Sequence, residues 1–114
     1  MKQCIMKIRS AIINAEGLIL DTGITSKTIR NGCLDAFCIG VDLPVTTSVV
    51  PVFLSIGGTE VPIHDMIGNT LQSDQIKYKT LYRGVWGTNP THFRLVVCTP
   101  RSQATNKTIT LDEA

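Results

Sequence analysis

Apolar and polar positions alternate along this chain with a period of two, in runs of about 5–9 residues set off by Gly, Pro, Asn and Asp. Cys4, Met6 and Ile8 alternate with Lys7 and Arg9, which predicts a half-buried strand continuing through Ala11-Ile12-Ile13. Asn14-Ala15-Glu16-Gly17 reads as a turn, and Leu18-Ile19-Leu20 returns, so residues 4–22 are expected to form a hairpin broken at Asp21-Thr22-Gly23. Residues 27–31 are polar and end at the turn pair Asn31-Gly32. From Cys33 to Leu43, Phe37, Ile39, Val41 and Leu43 share one face while Leu34, Ala36 and Cys38 share the other. Apolar residues on both faces predict a central strand covered on each side.

The most hydrophobic run is Thr46 to Ile56, with Val50, Val52, Leu54 and Ile56 on one face. Gly57-Gly58 then turns into Glu60-Val61-Pro62-Ile63, a second hairpin. Pro51 and Pro62 have no N–H for a ladder, so this hairpin is expected to border the sheet. Over 65–76 only a single helical turn at Ser73-Asp74 is predicted. Lys77 to Trp86 reads as a strand with Tyr78, Tyr82 and Trp86 on one side, and Gly87-Thr88-Asn89-Pro90 as a turn. His92 to Cys98 closes a β-domain over 1–98. From Thr99 the chain is polar, with Ile109 and Leu111 its only large apolar residues, and 99–114 is expected to be a tail or an arm that orders on a partner. The pattern predicts an all-β single domain, a sandwich or small barrel of about seven to eight mostly antiparallel strands.

Composition narrows the functional classes. Charged residues make up 18% against 43% hydrophobic, which leaves much surface to uncharged and apolar side chains and favours association over a solitary monomer. The net charge is +2 with the eleven Lys and Arg scattered; Lys77, Lys79 and Arg83 are the densest group, so no nucleic-acid partner is expected. The segment Met1 to Lys7 has no apolar signal-peptide core, and no run approaches the ~18 apolar residues of a membrane span, so a cytoplasmic site of synthesis and no membrane partner are expected. In that reducing setting Cys4, Cys33, Cys38 and Cys98 are expected to be thiols. Cys33 and Cys38 have an odd spacing that points them to opposite faces, and they read as small core hydrophobes.

Candidate chemistry is sparse. There is no Gly-x-Ser-x-Gly elbow, and Gly57-Gly58-Thr59 lacks the Lys and helix of a phosphate loop. His64-Asp65 with His92 would make a small metal-dependent enzyme only if two loops met; otherwise Asp65 caps a turn. The chain is therefore not read as an enzyme, and no cofactor is implied. Gly84-Val85-Trp86-Gly87-Thr88-Asn89-Pro90-Thr91-His92-Phe93 is the most distinctive string; it reads by default as a bulge and turn, and functionally as a binding tip.

From Val50 to Cys98 the chain resembles small proteins encoded near capsid genes in tailed phages and prophages of gut bacteria. The residues that carry the resemblance are the apolar strand, the Gly57-Gly58 turn, Gly68-Asn69, Asp74-Gln75, the aromatic strand and Gly87-Thr88-Asn89-Pro90-Thr91-His92-Phe93, with a looser likeness around Ile24-Thr25. The resemblance implies a virion structural role of the capsid-decoration kind and supplies no catalytic residues. The expected partners are the major capsid protein or other virion proteins and further copies of the chain, with a trimer among the assemblies expected by analogy. Pro51, Pro62, Trp86, Asn89, Pro90, His92, Ile109 and Leu111 are the expected interface residues. Other readings are a head–tail connector or tail component, and a glycan- or protein-binding β-module.

Overall fold

The computed structural model describes residues 5–44 and 47–96. Eight strands form among them: β1 (Ile5–Ile8), β2 (Ser10–Ile13), β3 (Leu18–Asp21), β4 (Leu34–Ile39), β5 (Val52–Ile56), β6 (Thr59–His64), β7 (Leu81–Gly87) and β8 (His92–Leu95). One 3-10 turn, Ser73–Gln75, stands where the single helical turn was expected. Cys4, Cys98 and the proposed arm at 99–114 lie outside the described residues.

The period-two pattern of the first run holds, with Met6 and Ile8 buried and Ile5 and Lys7 exposed. The run nevertheless divides at Arg9. Before it, β1 pairs with β4 in parallel; after it, β2 pairs with β3 in the expected hairpin. Arg9 N–H donates to the Asp21 carbonyl at 2.7 Å, so the chain changes neighbours without leaving the ladder. The sheet order is β1-β4-β7-β8-β6-β5-β3-β2, whose two ends are consecutive in the chain. One bent strand thus joins both margins, and the sheet nearly closes on itself as a barrel with little free edge.

The sheet is mixed. The pairs β2·β3, β4·β7, β5·β6 and β7·β8 are antiparallel, and β1·β4, β3·β5 and β6·β8 are parallel. Inward side chains fill the centre, including Leu20, Leu54, Phe37 and Phe93. Phe37 stacks on Tyr82 at 5.2 Å and meets Phe93 at 5.9 Å, and Phe93 meets Trp86 at 4.8 Å. Contacts of this kind each add about 0.5–1.5 kcal/mol beyond area burial. Tyr78 does not join them. Lys79 takes a positive φ of 61°, which interrupts the alternation before β7 begins and leaves Tyr78 exposed.

The structure departs from the sequence pattern at three places. The β5–β6 hairpin does not border the sheet, since β5 lies between β3 and β6, and β6 between β5 and β8. Pro51 precedes β5, and Pro62 sits opposite Phe53 just before the β6·β8 pairing starts at Ile63, so neither proline interrupts a ladder bond. Strand β4 is central in the sheet, but its outer face is only partly covered: Ala36 is buried, Cys38 is half-buried and Leu34 is 66% exposed. Cys33 and Cys38 are not core residues: Cys33 is exposed ahead of β4, and Cys38 is half-buried on the outer face.

The Gly57-Gly58 turn closes β5 to β6 at the pair Ile56·Thr59, with φ of 58° and 83° as a two-residue hairpin requires. A Cβ at Gly57 would also run into the Thr25 carbonyl, whereas Gly58 faces open space. Gly58→Ala is therefore expected to cost about 1 kcal/mol for its φ alone, and Gly57→Ala clearly more. Urea midpoints of the two variants check this; equal losses would mean that the Thr25 loop yields freely.

Candidate functional site

Strand register sets which positions point outward. Ile12 pairs with Ile19, Ile19 with Phe53, and Phe53 with Pro62. Paired residues share a face, and the neighbouring inward positions Leu18, Leu20, Val52 and Leu54 belong to the core. The four side chains therefore form an apolar row across β2, β3, β5 and β6 on the outside of the barrel. Ile12 is 56% exposed, Phe53 and Pro62 are half-buried, and Ile19, flanked by Ile12 and Phe53, is only 5% exposed. The sequence signal for this row was a large apolar residue on the wrong parity of its strand. Phe53 between Val52 and Leu54 is the clearest case, and Ile12, Ile19 and Phe53 were missed as candidates.

The row runs toward a histidine pair. His64 ends β6 and His92 begins β8, and their rings stack at 4.7 Å with planes 24° apart. The two loops thus meet, as an enzyme reading would need, but the third member does not join. The Asp65 carboxylate accepts the amides of Ile67 (3.1 Å) and Asn69 (2.9 Å), and so caps its own turn. Among the described residues no group of three or more His, Cys, Asp or Glu is placed to hold a metal ion. The Pro90 carbonyl lies 2.8 Å from His92 Nδ1, so Nδ1 carries the hydrogen and donates it. The His92 ring rests on Gly87, where a Cβ would run into it. Burial pushes the His64 imidazole below its ordinary value; His92 adds to this, and Asp65 opposes it.

Of the residues expected at an interface, Pro62 and His92 lie on this outer face, and Pro51 is half-buried one row over. Asn89 and Pro90, joined by a cis peptide, are exposed in the β7–β8 turn. Trp86 is corrected: it is 2% exposed and belongs to the core. Its indole Nε1–H donates to Asp35 Oδ2 at 3.1 Å, and Lys27 Nζ meets the same oxygen at 2.9 Å. Ile109 and Leu111 lie outside the described residues.

A hollow of about 260 Å³ opens beside Leu18, Leu43, Pro44, Val49, Ser73 and Asp74. Pockets that enclose small ligands start at about 300 Å³ and are closed on more sides. No helix among the described residues is long and apolar enough to cross a membrane. Fold and surface together define an all-β, nearly closed barrel-like domain with an apolar row and a histidine pair on its outer wall. No family model, curated protein or solved structure matches the chain significantly.

Proposed function

We propose that this chain is a virion structural protein of the capsid-decoration kind, binding the capsid lattice and further copies of itself through the outer face of its barrel. The observation that carries the reading is the outward apolar row in which Ile12 is exposed and Phe53 and Pro62 are half-exposed, with the buried Ile19 joining them in register. A nearly edgeless barrel has little strand margin to offer a partner, so side-chain surface is its means of contact. Low charge fits a subunit repeated over a lattice, where many weak contacts sum. The reading assigns no catalysis, no cofactor, no nucleic acid and no membrane. Its partner is the major capsid protein, and the chain resides in the virion after synthesis in the bacterial host.

The deciding experiment counts copies of the chain in purified particles relative to the major shell protein. Hundreds of copies support decoration, a dozen or fewer move the chain to the connector or tail, and none overturns the virion reading. A point variant sharpens the count. Ile12 is exposed, so Ile12→Glu is expected to change stability by no more than about 0.5 kcal/mol. Occupancy on particles should fall about tenfold, as for loss of a contributing interface contact. Unchanged occupancy would remove the row from the contact.

A further inference from the structure

We propose that the β6–β8 seam is a proton-operated joint, in which protonation of the stacked His64–His92 pair loosens the barrel. The seam is the shortest pairing in the sheet, with Ile63·Phe93 and His64·Arg94 as its two registered pairs. Its outer face carries two imidazoles at 4.7 Å, and Arg94, in register with His64, adds a permanent cation to the same wall. Arg94 Nη1 reaches toward the Met66 carbonyl at 3.5 Å, which keeps the guanidinium on the His64 side.

The surrounding charges only partly offset a doubly protonated pair: Asp65 favours the charged form of His64, but it is one carboxylate against two imidazolium groups and Arg94. Asp65 is the near carboxylate, and it holds the amides of Ile67 and Asn69. Glu60 lies farther along β6 and accepts from Asn14 at 3.3 Å. Strand β5 presents uncharged Phe53 and Ser55 on its outer side, with Pro51 just before it, and β7 presents Gly87 and Val85 near the pair with Arg83 farther along. The turn from Thr88 to Thr91 has no titratable side chain. Neutral rings stack without penalty and one proton is tolerated. A second places two cations side by side next to Arg94, and like charges on adjacent strands weaken pairing.

The sign follows from the direction of the His64 displacement. Burial and His92 hold its folded-state value below that of the open chain. The seam is therefore fully stable above the ordinary imidazole range of about 6.5, and loses stability as pH falls through that range toward the lower folded-state value.

The test is amide hydrogen exchange of the full chain at pH 7.5 and 5.0, corrected for intrinsic rates, with the histidine ring signals followed by NMR. Opening at Ile63, His64, Phe93 and Arg94 is expected to rise roughly two- to fivefold at the lower pH, with Leu54 and Val61 in the β5–β6 hairpin unchanged. His64→Gln and His92→Gln should each abolish the rise. Should a variant fail to fold, the wild-type rings decide: two separated titration steps support coupling, and independent titration at ordinary values overturns it. A seam that opens equally at both pH values, or a rise that survives His64→Gln, also overturns the proposal.

Discussion

Trp86→Ala is expected to remove about 3–5 kcal/mol of stability, a large part of the total available to a domain of this size. Trp86 heads the fully buried side chains by volume, and its ring tilts against Phe93 at 4.8 Å. Truncation would empty the centre of the aromatic group shared by β4, β7 and β8, where the strand backbones cannot collapse to fill it. It would also take the indole donor from Asp35, which is 2% exposed. Trp86→Phe separates the two effects. It keeps most of the ring but not the N–H, and should cost about 1–3 kcal/mol for the acceptor left short of a partner. Urea unfolding followed by far-ultraviolet circular dichroism measures both, since the variants lose the only tryptophan fluorophore. A Trp86→Ala midpoint equal to wild type, with particle binding lost, would return Trp86 to the surface role expected from the sequence.

That reversal shows what alternation can and cannot convey. Met6 and Ile8, or Leu54 and Ile56, declare their buried face because a polar residue, Lys7 or Ser55, separates them. The Gly57-Gly58 turn declares the hairpin because few other pairs tolerate its φ values. The parallel pairs left no such mark, since each joins segments distant in sequence and no turn fixes their register. The change of neighbours at Arg9 was equally hidden, because an Arg between two β-type runs has neither the φ freedom of Gly nor the missing donor of Pro. The same limit concealed the surface: Ile12, Ile19, Phe53 and Pro62 come from four strands, and only the register aligns them. His64 and His92 were named from the sequence, but their stacking depends on the parallel β6·β8 pair. Pro51 and Pro62 misled because a proline excludes a donor at one atom, and a strand can satisfy that deep within a sheet by starting its second pairing one residue later.

Asp35 was the least legible residue of all, because a carboxylate inside an apolar strand reads as a solvent-facing position. It lies instead beneath the loop from β3 to β4, in reach of Trp86 Nε1, the Ala36 amide at 2.8 Å and Lys27 Nζ at 2.9 Å. Lys27 belongs to that loop, whose Ile24 and Ile29 pack partly buried against the core. The ion pair therefore pins a segment that covers the barrel interior. Lys27→Met is expected to cost about 3 kcal/mol, the lower end for breaking a buried pair, because the Lys27 side chain is 21% exposed and water offsets part of the attraction. Asp35→Asn should cost less. It keeps an acceptor for the indole, and it leaves a lysine that can turn to solvent. The double variant Lys27→Met with Asp35→Asn should regain part of the Lys27→Met loss, because it no longer buries an unpaired charge. Urea midpoints of the three proteins give the coupling directly. A coupling near zero would mean that the indole and amide donors alone hold Asp35, and that the loop stays in place through Ile24 and Ile29. A coupling of 2 kcal/mol or so would make the Lys27–Asp35 pair the clasp between the loop and the barrel wall.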